Sequence, residues 1–344
     1  MTGRGGAVVQ AALRQVLAGG SLSAPDMAGV VGAVMDGGVA PELTAGLLCA
    51  LGARGETVEE LAGAARAMRD KVARVRTPAG KVVVDTCGTG GDGAGTFNIS
   101  TAAAFVVAAC GATVAKHGNR AVSSKAGSAD VLEALGVDVS MPVDQVERCL
   151  DEIGLGFLFA RQLHPAMKHA APVRKALGVR TLFNLVGPLT NPAFAPRQVM
   201  GVFDGARVES LARVLGRLGA ERAWVVHGSD GLDELTLTGP TRVAELHDGQ
   251  VRLFEVTPED AGLSRCSPQA LAGGDAQDNA RILSDILSGA DVGPRRAVVV
   301  LNAAAALVVA DLAPDLAAGA ERARAAIDRG AAAAVLCGLV QASA

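Results

Sequence analysis

Residues 82–111, VVVDTCGTGGDGAGTFNISTAAAFVVAACG, run an apolar strand into a glycine cluster and then into a helix of small residues. Gly88, Gly90 and Gly93 match the G-x-G-x-x-G spacing of a dinucleotide-binding loop. Backbone N–H groups in such a turn, at a helix N-terminus, suit a phosphate because no side chain blocks approach and the helix dipole favours an anion. That physics does not choose the ligand. A dinucleotide site usually places Asp or Glu about 20 residues further on, against the ribose hydroxyls. Here the next strand ends in Lys116-His117-Gly118-Asn119-Arg120, so cations replace the acid and a nicotinamide site is disfavoured. A Walker A loop fails as well, since Gly90 to Gly95 is followed by Thr96 and not by Lys-Ser/Thr.

What remains is a ligand with phosphate in two places and hydroxyls between them. Thr96, Asn98, Ser100 and Thr101 offer side-chain donors at the helix start, suited to a pyrophosphate. Lys116 and Arg120, with Ser123 and Ser124, offer a second anion site. Asp92, a carboxylate among the glycines, accepts from ribose hydroxyls or bonds the loop itself. Asp233-Glu234, in GSDGLDELTLTG after an apolar run, is the best metal candidate, because Mg2+ is commonly held by one or two carboxylates plus substrate phosphates. Asp230 nearby makes two exposed loop acids an equal reading. Arg174 is either a dipole-compensating cation or a bidentate clamp on a carboxylate. His117 is either a general base or a packed histidine, and His164 and His169, five apart, are poorly spaced as metal ligands.

Outward from the loop, the first 75 or so residues read as helices alone, with Ser23/Asp26 and Thr57/Glu60 as capping boxes. Short apolar runs then alternate with helical stretches at 81–85, 112–116, 156–160, 198–203 and 222–228, which predicts a mostly parallel sheet covered on both faces. Residues 242–256 alternate around Asp248-Gly249, a hairpin signal. A helix over 164–178 and the Pro/Asn-rich 184–196 interrupt the pattern. The expected fold class is α/β: a small α-helical domain (1–75, with about 165–195 returning) beside a large α/β domain (76–164 and 196–344), with a cleft between.

The 344 residues carry a formal net charge of -3, with 43 glycines and 3% aromatics. A pI near 6.0 gives no attraction to nucleic acid or to an anionic membrane. Six scattered cysteines without a C-x-x-C pair read as buried small apolar residues, not as a disulfide framework or zinc site. The longest apolar run, 297–310, carries Asn302 and falls short of the ~20 residues that span a bilayer. The N-terminus lacks a signal-type apolar region, so a cytoplasmic location is expected.

DTCGTGGDGAGTFNISTAAAF, AKHGNRAVSSKAGSADVLEALG, VRTLFNLVGPLTNP and SDGLDELTLTG, in that order, resemble the anthranilate phosphoribosyltransferase family, and the resemblance covers essentially the whole chain. It implies the nucleoside phosphorylase-like phosphoribosyltransferase fold, and a homodimer associating through the small domains. The substrates it implies are 5-phosphoribosyl 1-pyrophosphate (PRPP) and anthranilate, used in tryptophan biosynthesis with Mg2+ as two ions. It places PRPP on Gly88, Gly91, Asp92, Thr96, Asn98, Ile99, Ser100 and Thr101, on Lys116, His117, Gly118, Asn119, Arg120, Ala121, Val122, Ser123 and Ser124, and on Ser128. Magnesium falls to Ser100, Asp233 and Glu234, and anthranilate to Gly88, Asn119 and Arg174, with His117, Gly187 and Pro188 lining its path. No protein general base is assigned, because a neutral aromatic amine is already nucleophilic; His117 is the alternative. The rivals are a pyrimidine nucleoside phosphorylase and a non-catalytic nucleic-acid-binding relative, the second opposed by the acidic pI.

Overall fold

Helices α1 (Arg4–Leu17), α2 (Ala24–Met35), α3 (Pro41–Arg54) and α4 (Val58–Arg69) come first in the computed structural model, which describes residues 4–121 and 125–344. Val122, Ser123 and Ser124 lie outside the described residues. Ser23 and Thr57 are N-caps, and Thr57 and Glu60 form the full reciprocal box. The Glu60 carboxylate is buried and also accepts from Leu22 N at 2.9 Å and from the Arg54 guanidinium. Gly63 lets α4 meet the start of α2, since a Cβ there would lie 2.3 Å from the Ala24 carbonyl oxygen.

The sheet follows: β1 (Val83–Gly88), β2 (Thr113–Gly118), β3 (Leu155–Phe159), β4 (Arg197–Gly201), β5 (Arg222–Gly228), β6 (Thr241–His247) and β7 (Gln250–Val256), in the order β3-β2-β1-β4-β5-β6-β7. The five strands β3 to β5 are parallel; β6 and β7 are antiparallel. Strands β1 and β2 run three and two residues past their apolar letters because Gly88 and Gly118 continue in ladder pairings with Gly201 and Phe159. Asp248 and Gly249 both take positive φ, as a two-residue hairpin between right-twisted strands requires.

Between and after the strands lie α5 (Ile99–Ala109), α6 (Ser128–Ala134), α7 (Val143–Glu152), α8 (Ala160–Leu163), α9 (Ala171–Leu177), α10 (Leu182–Val186) and α11 (Val208–Arg217). The chain ends on α12 (Ala276–Leu287), α13 (Pro294–Val309), α14 (Leu316–Asp328) and α15 (Ala331–Ser343). The single helix expected over 164–178 is instead a 3-10 turn, Pro165–His169, followed by α9. Pro172 explains the break: with no N–H it cannot bond back to Lys168 as a continuous helix requires, whereas in the first turn of α9 that N–H is not needed.

Two apolar cores result. One joins α5, α7, α12, α13 and α14 to one face of the sheet through residues such as Phe105, Val226 and Leu307. The other runs without interruption from Val9, Met27 and Leu51 through Val173, Phe183 and Leu189 to Met200, Leu211 and Val225 on the opposite face. Cys87, Cys110 and Cys149 are buried as expected, whereas Cys49 and Cys337 are exposed, on outward faces of α3 and α15. Among the described residues no single helix is long and apolar enough to cross a membrane.

Candidate functional site

Strand order reverses at β1, with β2 and β3 on one side and β4 and β5 on the other. Ligands of open α/β sheets bind outside the carboxyl ends of strands at such a point. At that edge Gly88 of β1 stands opposite Gly201 of β4. Their bareness has a specific cause. A Cβ on Gly201 would sit 1.5 Å from the Asp233 carbonyl oxygen, and one on Gly88 would sit 2.6 Å from Asp233 Oδ2. The loop after β5 therefore crosses the strand ends in contact with them and delivers Asp233-Glu234 to the crevice.

The two loops are bonded together there. Gly90 N donates to Asp233 Oδ2 at 2.6 Å, Asp233 N donates to Asp92 Oδ2 at 3.4 Å, and Ala94 N donates to Asp92 Oδ1 at 3.1 Å. Glu234 Oε1 accepts from Ser100 N, in the first turn of α5, at 3.1 Å. Burial is the main cause that raises both carboxyls, joined by mutual repulsion and Asp92 for Asp233; Glu234 is pushed up to about 7 against the pull of Lys116 and Ser100. Lys116 is buried on β2, with Nζ 2.5 Å from the Thr86 carbonyl oxygen and 3.4 Å from Ser100 Oγ. Burial lowers its basicity, partly countered by Asp85, Cys87 and Glu234.

The donor set fits Mg2+. Asp233, Glu234 and Ser100 supply oxygen, and closely placed carboxylates in low dielectric favour a cation between them. Among the described residues no three His, Cys, Asp or Glu side chains converge as a metal cage. The protein's oxygens are thus an incomplete set, of the kind that substrate phosphates complete.

The glycine loop is held at its far end by a segment that no sequence motif singles out. Gly273 N donates to the Gly95 carbonyl oxygen at 2.9 Å, and Asn279 Nδ2 donates to Asn98 Oδ1 at 3.0 Å. Asn98 itself donates to the Ala126 carbonyl oxygen. Thr101 is buried and lines a small interior space with Phe105, Lys116 and Phe157, while Ser100 stays partly exposed. The sequence presents Asn302 only as a polar residue in an apolar helix. In the structure its side chain accepts from Leu235 N and donates to the Leu235 carbonyl oxygen, which pins α13 to the residue after Glu234.

The second anion segment is cinched by α6. Asp130 Oδ2 accepts from Ala121 N and Gly127 N, at 3.0 and 2.9 Å, and Ser128 Oγ donates to the Asn119 carbonyl oxygen. Arg120 does not point at a free anion site: its guanidinium pairs with Asp130 and Glu133. Two sequence-expected donors here, Ser123 and Ser124, lie with Val122 outside the described residues. Gly118 must be bare because a Cβ would meet Ser128 Oγ at 2.3 Å.

On the helical side, His117 Nε2 lies 3.1 Å from His164 Nε2, uniting two histidines that sequence spacing kept apart. Burial holds both mainly neutral. His117 falls well below the usual range, helped by His164 and Lys116, and His164 falls to about 4. His164 Nδ1 is buried and has no hydrogen-bond partner among the described residues. Beneath them a buried Asp85 accepts from His117 N and Asn191 Nδ2, so the GPLTNP loop is docked onto β1 and β2. Pro188 is buried and its carbonyl oxygen accepts from Gln198 Nε2 at 2.8 Å, beside Gly187 at the end of α10. Arg174, on α9, is partly buried, with its guanidinium 5.7 Å from the Phe183 ring centroid and no carboxylate partner among the described residues. Arg180, which falls within the VRTLFNLVGPLTNP stretch but was assigned no role from the sequence, donates Nη2 to the Gly91 carbonyl oxygen.

Two family descriptions match: "Glycosyl transferase family, helical bundle domain" over residues 10–72 and "Glycosyl transferase family, a/b domain" over 80–333. The chain is 56% identical over 329 residues to the anthranilate phosphoribosyltransferase of Rubrobacter xylanophilus, covering 96% of each. It superposes on the crystal structure of anthranilate phosphoribosyltransferase from Thermus thermophilus with a TM-score of 0.91 at 47% identity, covering 96% of this chain and 98% of that one. The Saccharomyces cerevisiae enzyme in complex with PRPP and Mg matches with a TM-score of 0.89 at 26% identity, covering 98% of each chain.

Proposed function

The chain belongs to the anthranilate phosphoribosyltransferases, and from that premise we propose how its residues divide the work. The reaction moves the phosphoribosyl group of PRPP to the amine of anthranilate and releases pyrophosphate, in tryptophan biosynthesis. The observation that carries the assignment of roles is the lock between the glycine loop and the Asp233-Glu234 loop, which puts phosphate donors and metal ligands in one crevice.

PRPP occupies the turn 88–101, with Gly88, Gly91, Asp92, Thr96 and the 98–101 helix start around the pyrophosphate and ribose. Residues 116–121, with Arg120 contributing backbone rather than its paired guanidinium, and Ser128 form the other wall. Ser100, Asp233 and Glu234 hold magnesium, as two ions. Bound there, magnesium offsets negative charge gathering on the leaving pyrophosphate. The backbone N–H groups of the loop are fixed donors to the same charge and need no reorganisation. Lys116, buried between Glu234 and Asp85, supplies a positive field at the base of the site.

Anthranilate lies between the helical side and the strand ends. Among the described residues Arg174 has no carboxylate partner, so it clamps the substrate carboxylate. Asn119, Gly88, Gly187 and Pro188 border the ring. His117 and His164 stay neutral, and the unpartnered His164 Nδ1 is a group that the substrate can serve. A histidine so depressed is a weak base, which supports placement of the neutral amine over its deprotonation. The lobes divide as 1–75 with 165–195 against the remainder, supported by the packing of Val173, Phe183 and Leu189 on the N-terminal helices. A cytoplasmic location and a homodimer joined through the small lobe complete the reading; for the dimer, the support is the exposed Val8 at a depression of about 390 Å³ on α1 and α2.

Loss of anthranilate fluorescence tests the whole. We expect it only with PRPP and Mg2+ both present, and folded protein that leaves the signal unchanged under those conditions refutes the assignment.

A further inference from the structure

We infer that Arg180 is a positioning residue for the PRPP loop, a tether that works when Asp233 turns to metal. This rests on the reading of residues 88–101 as the PRPP site.

Arg180 stands in the short connection between α9 and α10. Gly178 closes α9 in the left-handed conformation, and Thr181 opens α10 with a capping box through Asn184. The backbone on both sides is thereby set, and the side chain reaches across to the sheet. Its guanidinium lies 3.9 Å from the Phe203 ring centroid and Nη2 donates to the Gly91 carbonyl oxygen. Phe203 is itself anchored just past β4, where its N–H donates to Thr89 Oγ1 at 3.1 Å. Among the described residues Arg180 has no carboxylate partner, although it is exposed and sits near a carboxylate-rich crevice. An arginine laid on an aromatic face, bonded to one loop carbonyl, is held for position and not for charge neutralisation.

The ties from Gly90 and Asp92 to the facing loop both run to Asp233. Gly90 N–H bonds the Asp233 carboxylate, and Asp233 N–H bonds Asp92. A carboxylate that also serves a metal shares its negative charge with it, so its hold on Gly90 N–H weakens even where its other oxygen takes the metal. Gly90 N–H is then more available to phosphate and the tie is looser. Gly91, at φ +77, is the adjacent residue. The bond from Arg180 does not involve Asp233, so it persists and keeps the loop over the strand ends. Arg174, six residues earlier, serves the other substrate, so the two arginines of one segment act on different ligands.

The test compares wild type with Arg180→Ala, Arg180→Lys and Arg174→Ala, using steady-state kinetics and calorimetric binding of PRPP with Mg2+ in the absence of anthranilate. Arg180→Ala should raise both the Kd and the KM for PRPP about tenfold, the scale of one charge-assisted hydrogen bond. Its KM for anthranilate should stay within about twofold, and Arg174→Ala should show the reverse pattern. Arg180→Lys should recover part of the loss, since it donates but cannot stack as a guanidinium does. Unchanged PRPP affinity in Arg180→Ala, or equal losses for both substrates, overturns the proposal. If Arg180→Ala does not fold, Phe203→Leu decides: a rise in PRPP Kd supports the tether and no change refutes it. Wild type that neither binds PRPP nor turns over would instead refute the underlying site.

Discussion

Gly201 shows how a single position can be decided by a contact remote in sequence. It carries an ordinary backbone conformation and no motif letter, yet a methyl group there would occupy the place of the Asp233 carbonyl oxygen, 1.5 Å away. Main chain cannot yield like a flexible side chain, so Gly201→Ala must push the Asp233-Glu234 loop off the strand ends. We expect a loss of stability of about 2 kcal/mol or more from overpacking. Activity should fall at least about 100-fold, since a displacement near 1 Å in a positioned group is enough for that. Gly52→Ala is the matched control: it lies in α3 with nothing within 4 Å of the new Cβ, and there the helix should gain stability. Thermal melts and turnover of both variants check this; full activity in Gly201→Ala would contradict it. Gly88 is the instructive counterpart. Its place in the glycine loop was legible from the spacing, but the carboxylate that crowds it, 145 residues later, was not.

Among the elements, α4 was the easiest to read and its most important bond the hardest. Thr57 and Glu60 are a visible capping box, and the structure has it. No local pattern reveals that the same carboxylate bonds Leu22 N and Arg54, from two other stretches of chain. Burial raises the Glu60 carboxyl, but hydrogen bonds from Leu22, Thr57 and Arg54 outweigh it and leave the group lowered from its ordinary 4.5. A carboxyl lowered in the folded state adds stability that is present above the unfolded value and disappears as pH falls through the folded one. Glu60→Gln should therefore cost about 2 kcal/mol at pH 7. The gap between mutant and wild type should shrink as pH drops below about 4.5. Denaturant titrations at pH 7 and at pH 3.5 measure it, and a gap that is constant or grows toward acid would reverse the assignment. The helix expected over 164–178 failed for the opposite reason: the stretch was read as one helix, although Pro172, which breaks it, stands in plain sight.

For the whole molecule, the alternation of apolar runs and helical stretches was enough to read a parallel sheet with a hairpin edge, because buried parallel strands need continuous apolar letters. It could not show that the helical lobe has no core of its own. The second core passes from Val9 and Leu51 through Phe183 to Met200 and Val225, so the helices and one sheet face exclude water together. A polar seam ties the same surfaces: Arg207 after β4 donates to the carbonyl oxygen and the buried carboxylate of Glu56, and Arg69 donates to the carbonyl oxygens of Leu189 and Leu218. Two units that share a core should melt as one, so calorimetry is expected to show a single transition for the protein. Glu56→Ala takes the nearer carboxylate from the partly buried Arg207 guanidinium and leaves it only Asp204, at 3.9 Å, which should cost about 2 kcal/mol. For a chain of this length that is a fall of about 3 °C in Tm. The transition should move and stay single. A helical lobe that melted separately, in wild type or in Glu56→Ala, would mean that the shared core is an adhesion between independent domains.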